Sequence, residues 1–180
     1  MTLSIRALSV AAMLTVASIG GAIAQDNPQV GGAAMFADKN IVENAVNSAD
    51  HTTLVAAVQA AGLVETLSGE GPFTVLAPVN AAFDALPAGT VDTLLMPDNK
   101  DTLSTILACH VIPAKALSTD IVSMVEADGG EHVVDTVGGC RLTLEAADGK
   151  VTVTDENGTV ANVTIADVIQ SNGVIHVIDA

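Results

Sequence analysis

Two periodicities divide the chain. In the first half apolar positions recur at helical spacing, and from Glu131 onward they alternate with polar ones. "NIVENAVNSA" places Ile41, Val42, Ala45 and Val46 on one side of a short helix. "DHTTLVAAVQAAGLVETLSG" brings Leu54, Val55, Val58, Ala61, Val64 and Leu67 near helical spacing, with Asp50 or Thr52 placed to cap its start and Gly69 and Gly71-Pro72 to end it. Gly62 inside that pattern costs helix stability and is a candidate break. Phe73 to Ala77 is a short apolar strand, which Pro78, unable to donate to a ladder, brings to an end. Asn80 is expected to cap the next helix with its own side chain. Asp84 is expected to favour that helix's positive end, and Phe83 and Leu86 to face the core. Short helices follow over Thr90 to Leu95 and, capped at Asp98, up to about Ala108, burying Leu103, Ile106 and Leu107. His110 to Ile112 reads as extended and Pro113 closes it, whereas Lys115 to Met124 fits neither period.

In the second half "HVVDTV", "CRLTLEA", "KVTVTD", "VANVTIADVIQ" and "GVIHVIDA" are strands by their alternation. Gly138-Gly139, Asp148-Gly149, Asn157-Gly158 and Asn172-Gly173 separate them. Asp-Gly and Asn-Gly supply the positive φ angles that tight hairpin turns demand. A helix-rich half with one strand, followed by consecutive hairpins, predicts a single α+β domain ending in a β-meander.

Met1 to Ala24 has one cation, Arg6, no acid, and an Ala/Val/Leu/Ile-rich stretch ending in Ala22-Ile23-Ala24. That is the order of a secretory signal peptide cleaved after Ala24. The apolar run is short for a membrane span, and nothing later approaches one. The product is expected to be secreted or periplasmic, with a flexible mature N-terminus over residues 25–38 and one domain over 39–180. The formal charge is −15, and the leader contributes none of the acids. Such a surface repels nucleic acid and favours solubility. With no Trp, no Tyr and three Phe, the chain can hardly build an aromatic stacking platform for single strands.

Candidate chemistry is sparse. Cys109 and Cys140 in an exported chain permit a disulfide, which would close a loop of about 30 residues and contribute roughly 3 kcal/mol. The apolar run around Cys109 favours a free buried thiol instead. No G-x-S-x-G elbow occurs. Cys109 beside His110 suggests a nucleophile and base, but neighbours on a strand point to opposite faces. His110 and His176 lie in apolar runs, where buried imidazoles must hydrogen-bond. His51 and His132 are expected to be solvated. No His/Cys spacing suits a metal, and the scattered acids have no calcium-loop order. Asn157-Gly-Thr and Asn162-Val-Thr are glycosylation sequons.

"TVLAPVNAAFDALPAGTVDTLL" closely resembles the first signature of fasciclin-like (FAS1) domains, and "SNGVIHVIDA" resembles their second. "ILACHVIPAKALSTDI" is similar to the segment between, and "DHTTLVAAVQAAGLVETLSGEGPF" to the family's second helix. The resemblance runs from Ile41 to Ala180 in the family's order. It implies a β-sandwich-like core of two small sheets with several helices packed along one side. It also implies an extracellular, non-enzymatic role in adhesion, while some algal relatives hold carotenoids. Thr74, Pro78, Asn80, Phe83, His110, Asn172, Gly173 and His176 fall on signature positions and are expected to be structural. His110, Val111, Ile112 and Pro113 form the candidate partner-contact segment. Where the family usually has Tyr-His this chain has Cys109-His110, so integrin-type binding does not carry over with the motif. Family members also continue beyond the position of Ala180, so the last strand is expected to be short or unpaired at its end.

Two functions compete on these grounds. One is an exported module that contacts a surface or extracellular protein or glycan, without cofactor, metal or catalytic residues. The other is a carrier of an apolar small molecule, lipid or carotenoid-like, in a groove between helices and sheet.

Overall fold

The computed structural model describes residues 27–180, so the expected leader lies outside the described residues. The chain opens with a small antiparallel ladder, β1 (Gln29–Val30) and β2 (Ala33–Ala34), followed by α1 (Ile41–Ala45), α2 (Thr52–Ala61) and α3 (Val64–Ser68). Strand β3 (Phe73–Pro78) leads to α4 (Asn80–Asp84), α5 (Thr90–Leu94), α6 (Lys100–Ala108), the short β4 (Val111–Ile112) and α7 (Ser118–Ala127). The meander is β5 (Glu131–Asp135), β6 (Arg141–Ala147), β7 (Lys150–Thr154), β8 (Val160–Gln170) and β9 (Gly173–Ile178).

Seven strands form one sheet in the order β4-β3-β9-β8-β7-β6-β5. Strand β8 is its hinge. Its first residues, Val160 to Asn162, pair with β7. The remainder pairs with β9 through two register shifts between Val163 and Val168, and such irregularities bend and twist a strand. The bend divides the sheet into two leaves. Leu76 and Ile178 of one leaf pack with Leu142, Leu144, Val151 and Val153 of the other, and Ile121 and Val125 of α7 close that core. The opposite face of β3 and β9 presents Val75, Ala77, Ile175 and Val177 to helices α1, α2, α3 and α6. β3 and β9 run parallel, register Phe73↔Gly173 to Pro78↔Ile178. Because apolar layers cover both their faces, both strands read as continuous apolar runs rather than alternating ones.

Residues 29–38 are not a flexible tail: Val30 and Met35 are buried in the helical core, Ala49 N–H donates to the Gly31 carbonyl, and a Cβ on Gly31 would lie 2.4 Å from Ser48 Oγ. Gly62 does divide the helical pattern, as the left-handed C-cap of α2 (φ 73°). Leu86 and Ile106 are exposed (41% and 39%) instead of buried. Asp98 caps nothing with its side chain; it lies in a 3-10 turn, Pro97–Asn99, ahead of α6. The indeterminate stretch Lys115 to Met124 contains most of α7. Asp148 and Gly149 both take positive φ in the β6–β7 hairpin. Asn172-Gly173 is no such turn, because Gly173 belongs to β9 and pairs with Gln170. The final strand is paired to its last residue, Ile178 facing Pro78 on one side and Val163 on the other.

Candidate functional site

The polar residues buried within apolar segments converge on a strap, residues 113–118, that joins β4 to α7. Thr74 on β3 is inaccessible to solvent. Its hydroxyl donates to the Ala114 carbonyl (2.6 Å) and accepts from Ala116 N–H (2.9 Å). His176 on β9 is equally buried. Its Nε2 donates to the Ala116 carbonyl (2.8 Å), which leaves Nδ1 to accept from Asp167 N–H (3.3 Å). Asp167 sits in the β8 bulge with φ 58°. Its carboxylate accepts from Ser118 N–H (2.6 Å) and from the Ser118 hydroxyl, at the positive end of α7. Three strands thus grip one strap, and Asp167, missed from sequence, completes the grip. The signal available was an acid at the point where the alternation of "VANVTIADVIQ" falters.

A second junction forms around Asn172 and Asn44. Asn172 accepts from Ile41 N–H (3.1 Å) and donates to the carbonyls of Leu67 (2.8 Å) and Gly69 (2.9 Å), tying α1 and α3 to the head of β9. Asn44, fully buried, exchanges two hydrogen bonds with the Phe36 backbone (3.0 and 2.8 Å) and donates to the Gln170 side chain. No local pattern in the sequence marks Asn44 or Gln170.

Asn80 does not cap its own helix. Val79 occupies the cap position of α4 without a side-chain bond. The Asn80 amide oxygen accepts from Thr53 N–H (3.0 Å) and the Thr52 hydroxyl (3.2 Å), and its nitrogen donates to the Ala49 carbonyl (2.9 Å). It therefore caps α2 from a distant element, which explains why neither Asp50 nor Thr52 serves there. Asn80→Ala is expected to lower stability by about 1–2 kcal/mol, read by urea unfolding, with amide exchange accelerating first in the opening turn of α2. An unchanged α2 exchange rate would contradict the assignment. Asp84 lies at the last residue of α4, too far along to favour its positive end. Phe83 is half-buried against the helical core.

Cys109 and Cys140 are bonded, with Cα atoms 5.3 Å apart, rather than leaving Cys109 a free thiol. The bridge fastens the end of α6 to the β5–β6 turn, where Gly138 lies so close that a Cβ would stand 2.6 Å from Cys109 N. Cys109 is the helical C-cap of α6 and His110 follows in a turn, so neither belongs to a strand. His110 Nδ1 donates to the Ile106 carbonyl (2.9 Å). In the segment singled out for partner contact, Val111 and Ile112 turn inward and are buried, and only Pro113 is exposed.

His51 is buried, not solvated: Nε2 donates to the Ala77 carbonyl (3.4 Å) and Nδ1 accepts from the Ser48 hydroxyl (2.9 Å). His132 is half-buried and pairs with Asp128 (2.5 Å). Burial holds the pKa of both His51 and His110 below the ordinary imidazole value of 6.5. The folded chain therefore takes up these protons at lower pH than the unfolded chain. Their stabilising contribution is complete above pH 6.5 and is lost as pH falls below it. The melting temperature should begin to drop on acidification before the carboxylates titrate; a flat profile between pH 7 and 5 would refute this. Among the described residues no group of His, Cys, Asp and Glu is arranged to hold a metal ion.

Parallel β3 and β9 between two apolar cores, a bent β8 and a polar grip on the strap describe a fasciclin-type domain. Residues 49–180 match the family model described as Fasciclin domain, and the chain belongs to that family. It is 48% identical over 167 residues to Protein sll1483 of Synechocystis sp., covering 93% of this chain and 86% of that protein. It is 39% identical over 126 residues to transforming growth factor-beta-induced protein ig-h3 of Sus scrofa, 70% of this chain but 16% of that protein. It is 33% identical over 145 residues to immunogenic protein MPB70 of Mycobacterium bovis, covering 76% and 64%. Among solved structures, a FAS1 domain pair from the insect cell adhesion molecule Fasciclin I superposes with a TM-score of 0.68 at 19% identity, covering 78% of this chain and 49% of that one.

Proposed function

We propose that the protein is an exported, non-enzymatic interaction module that contacts a surface or extracellular protein or glycan. One observation carries this: the side chains that could do chemistry are committed to holding the fold. Cys109 is in a disulfide, and His51, His110 and His176 each hydrogen-bond a backbone carbonyl. What remains for function is the outer surface. The relationship to a domain pair of a cell adhesion molecule supports the same role. Among the described residues no helix is long and apolar enough to cross a membrane.

Affinity capture with the immobilised domain from the extracellular or periplasmic fraction tests it. A specific protein or glycan, displaced by free domain, is the expected result. No retained partner at high domain concentration overturns the proposal.

A carrier that holds lipid or carotenoid in a groove between helices and sheet loses ground on the volume found there. The apolar cavity between the helices and β3/β9, lined by Val58, Val75, Leu107, Val111 and Ile175, holds about 50 Å³. Drug-sized ligands occupy cavities on the order of 300–1,000 Å³. The helices would have to part from the sheet to admit one.

A further inference from the structure

Strand β5 ends the seven-stranded sheet, and no strand pairs with its outer side among the described residues. An open edge presents unpaired amides and carbonyls, and sheets commonly blunt it with charge or a covering element. Here α7 packs on the inner face of the leaf, with Val134 and the inward residues of β6 and β7. On the outer face β5 shows Glu131, Val133 and Asp135, all exposed.

Two features of that face are unusual. Val133 is 53% exposed in the centre of the edge strand. It starts a cross-strand row, Val133↔Thr143↔Thr154↔Val160, of β-branched side chains spanning four strands. Beside this row Glu131 stands directly opposite Glu145. Like charges so placed destabilise a ladder, and neither forms an ion pair among the described residues. Asp135 is only loosely held by Arg141 Nε at 3.4 Å.

A second copy of the chain is a poor occupant. Antiparallel pairing of two β5 strands about Val133 would set Glu131 against Asp135 of the other copy, between two bodies each of formal charge −15. The same geometry suits a basic strand. We propose that the outer edge of β5 takes an extended cationic protein segment as an added antiparallel strand. In it a β-branched apolar side chain lies against Val133, with lysine or arginine two positions to either side. The backbone ladder supplies affinity, the apolar residue continues the Val/Thr row, and one cation neutralises the Glu131–Glu145 pair. This rests on the reading of the domain as an interaction module and names which surface and which chemistry it uses.

The probe is the peptide Thr-Lys-Thr-Val-Thr-Lys-Thr, with Thr-Glu-Thr-Val-Thr-Glu-Thr and a proline-for-valine analogue as controls. Hydrogen exchange and amide shifts of the protein are the readout. The lysine peptide should slow exchange at β5 in a saturable, salt-sensitive manner, and the controls should not. Glu131→Lys with Glu145→Lys should weaken it about tenfold, because both charges are exposed and act through the field at the edge. Both sites being on the surface, the melting temperature will show that these variants fold. Equal protection by the glutamate peptide, or no protection of β5 at millimolar lysine peptide, overturns the proposal. The two ideas fail separately. A captured partner that binds V133K and the double variant as well as it binds the original chain removes the edge proposal and leaves the module standing.

Discussion

Gly173→Ala is expected to destabilise the domain by roughly 3 kcal/mol, at the upper end of the usual cost of overpacking a filled interior. Gly173 does not need an unusual φ; it needs the absence of a side chain. A Cβ there would lie 2.1 Å from the Phe73 carbonyl oxygen and 3.1 Å from Phe73 N, and these are backbone atoms that no rotamer change can move. Relief requires β9 to part from β3, and the parallel register from Phe73 to Pro78 is what both apolar cores rest on. The neighbouring approach is as close, since a Cβ on Gly71 would stand 1.9 Å from the Asn172 carbonyl oxygen. Gly149→Ala is the informative contrast. Nothing lies within 4 Å of a Cβ there, and only its φ of +75° opposes substitution, a cost of about 1 kcal/mol. Urea midpoints of the two variants separate steric crowding from backbone strain. A Gly173→Ala midpoint no lower than that of Gly149→Ala would refute the close-approach account.

His176→Leu is expected to cost roughly 2–4 kcal/mol although leucine fills a similar space and is more apolar. The loss arises because the buried Ala116 carbonyl and the partly buried Asp167 N–H are left without the partners at 2.8 and 3.3 Å that the imidazole provides. The damage should be local before it is global. The strap loses one of its three attachments, so amide exchange over residues 114–118 and the first turn of α7 should accelerate more than exchange in β5 to β7. Thr74→Val, which removes the paired bonds to Ala114 and Ala116, should produce the same regional pattern. A uniform loss of protection, or a protected strap, would show that His176 is merely filling space.

Together these expectations separate two tasks within one small domain. Thr74, His176 and Asp167 maintain the strap, Asn172 and Asn44 the helix–strand junction, and Asn80 the start of α2. Each commits its side-chain polar atoms to these bonds. On the proposed reading, recognition falls to groups that the fold leaves on its outside, among them Val133 and the Glu131–Glu145 pair.

The sequence by itself determined the kind of most main elements, α7 and the N-terminal ladder excepted, and the division into a helical half and a meander. Helical spacing, alternation, the Gly62 break and the Asp148-Gly149 turn act over a few residues, and a few residues suffice to read them. The signature segments also contain Thr74, Asn80, Asn172, Gly173 and His176, whose hydrogen bonds or close approaches lie at junctions between elements. What the sequence left open is where their polar atoms go. Asn80 sits where a local cap belongs, yet it serves a helix 27 residues earlier in the chain. Asn172 reads as a turn residue, yet it bonds a backbone amide 131 residues away. The N-terminal ladder looks like a tail until Gly31 meets Ser48 and Asn44 meets Phe36, and Cys109 looks like a buried thiol until the β5–β6 turn brings Cys140 beside it. In each case the deciding partner is a backbone or side-chain group of another element. A buried donor or acceptor binds whichever partner packing brings within about 3 Å, and only the folded chain brings those partners together.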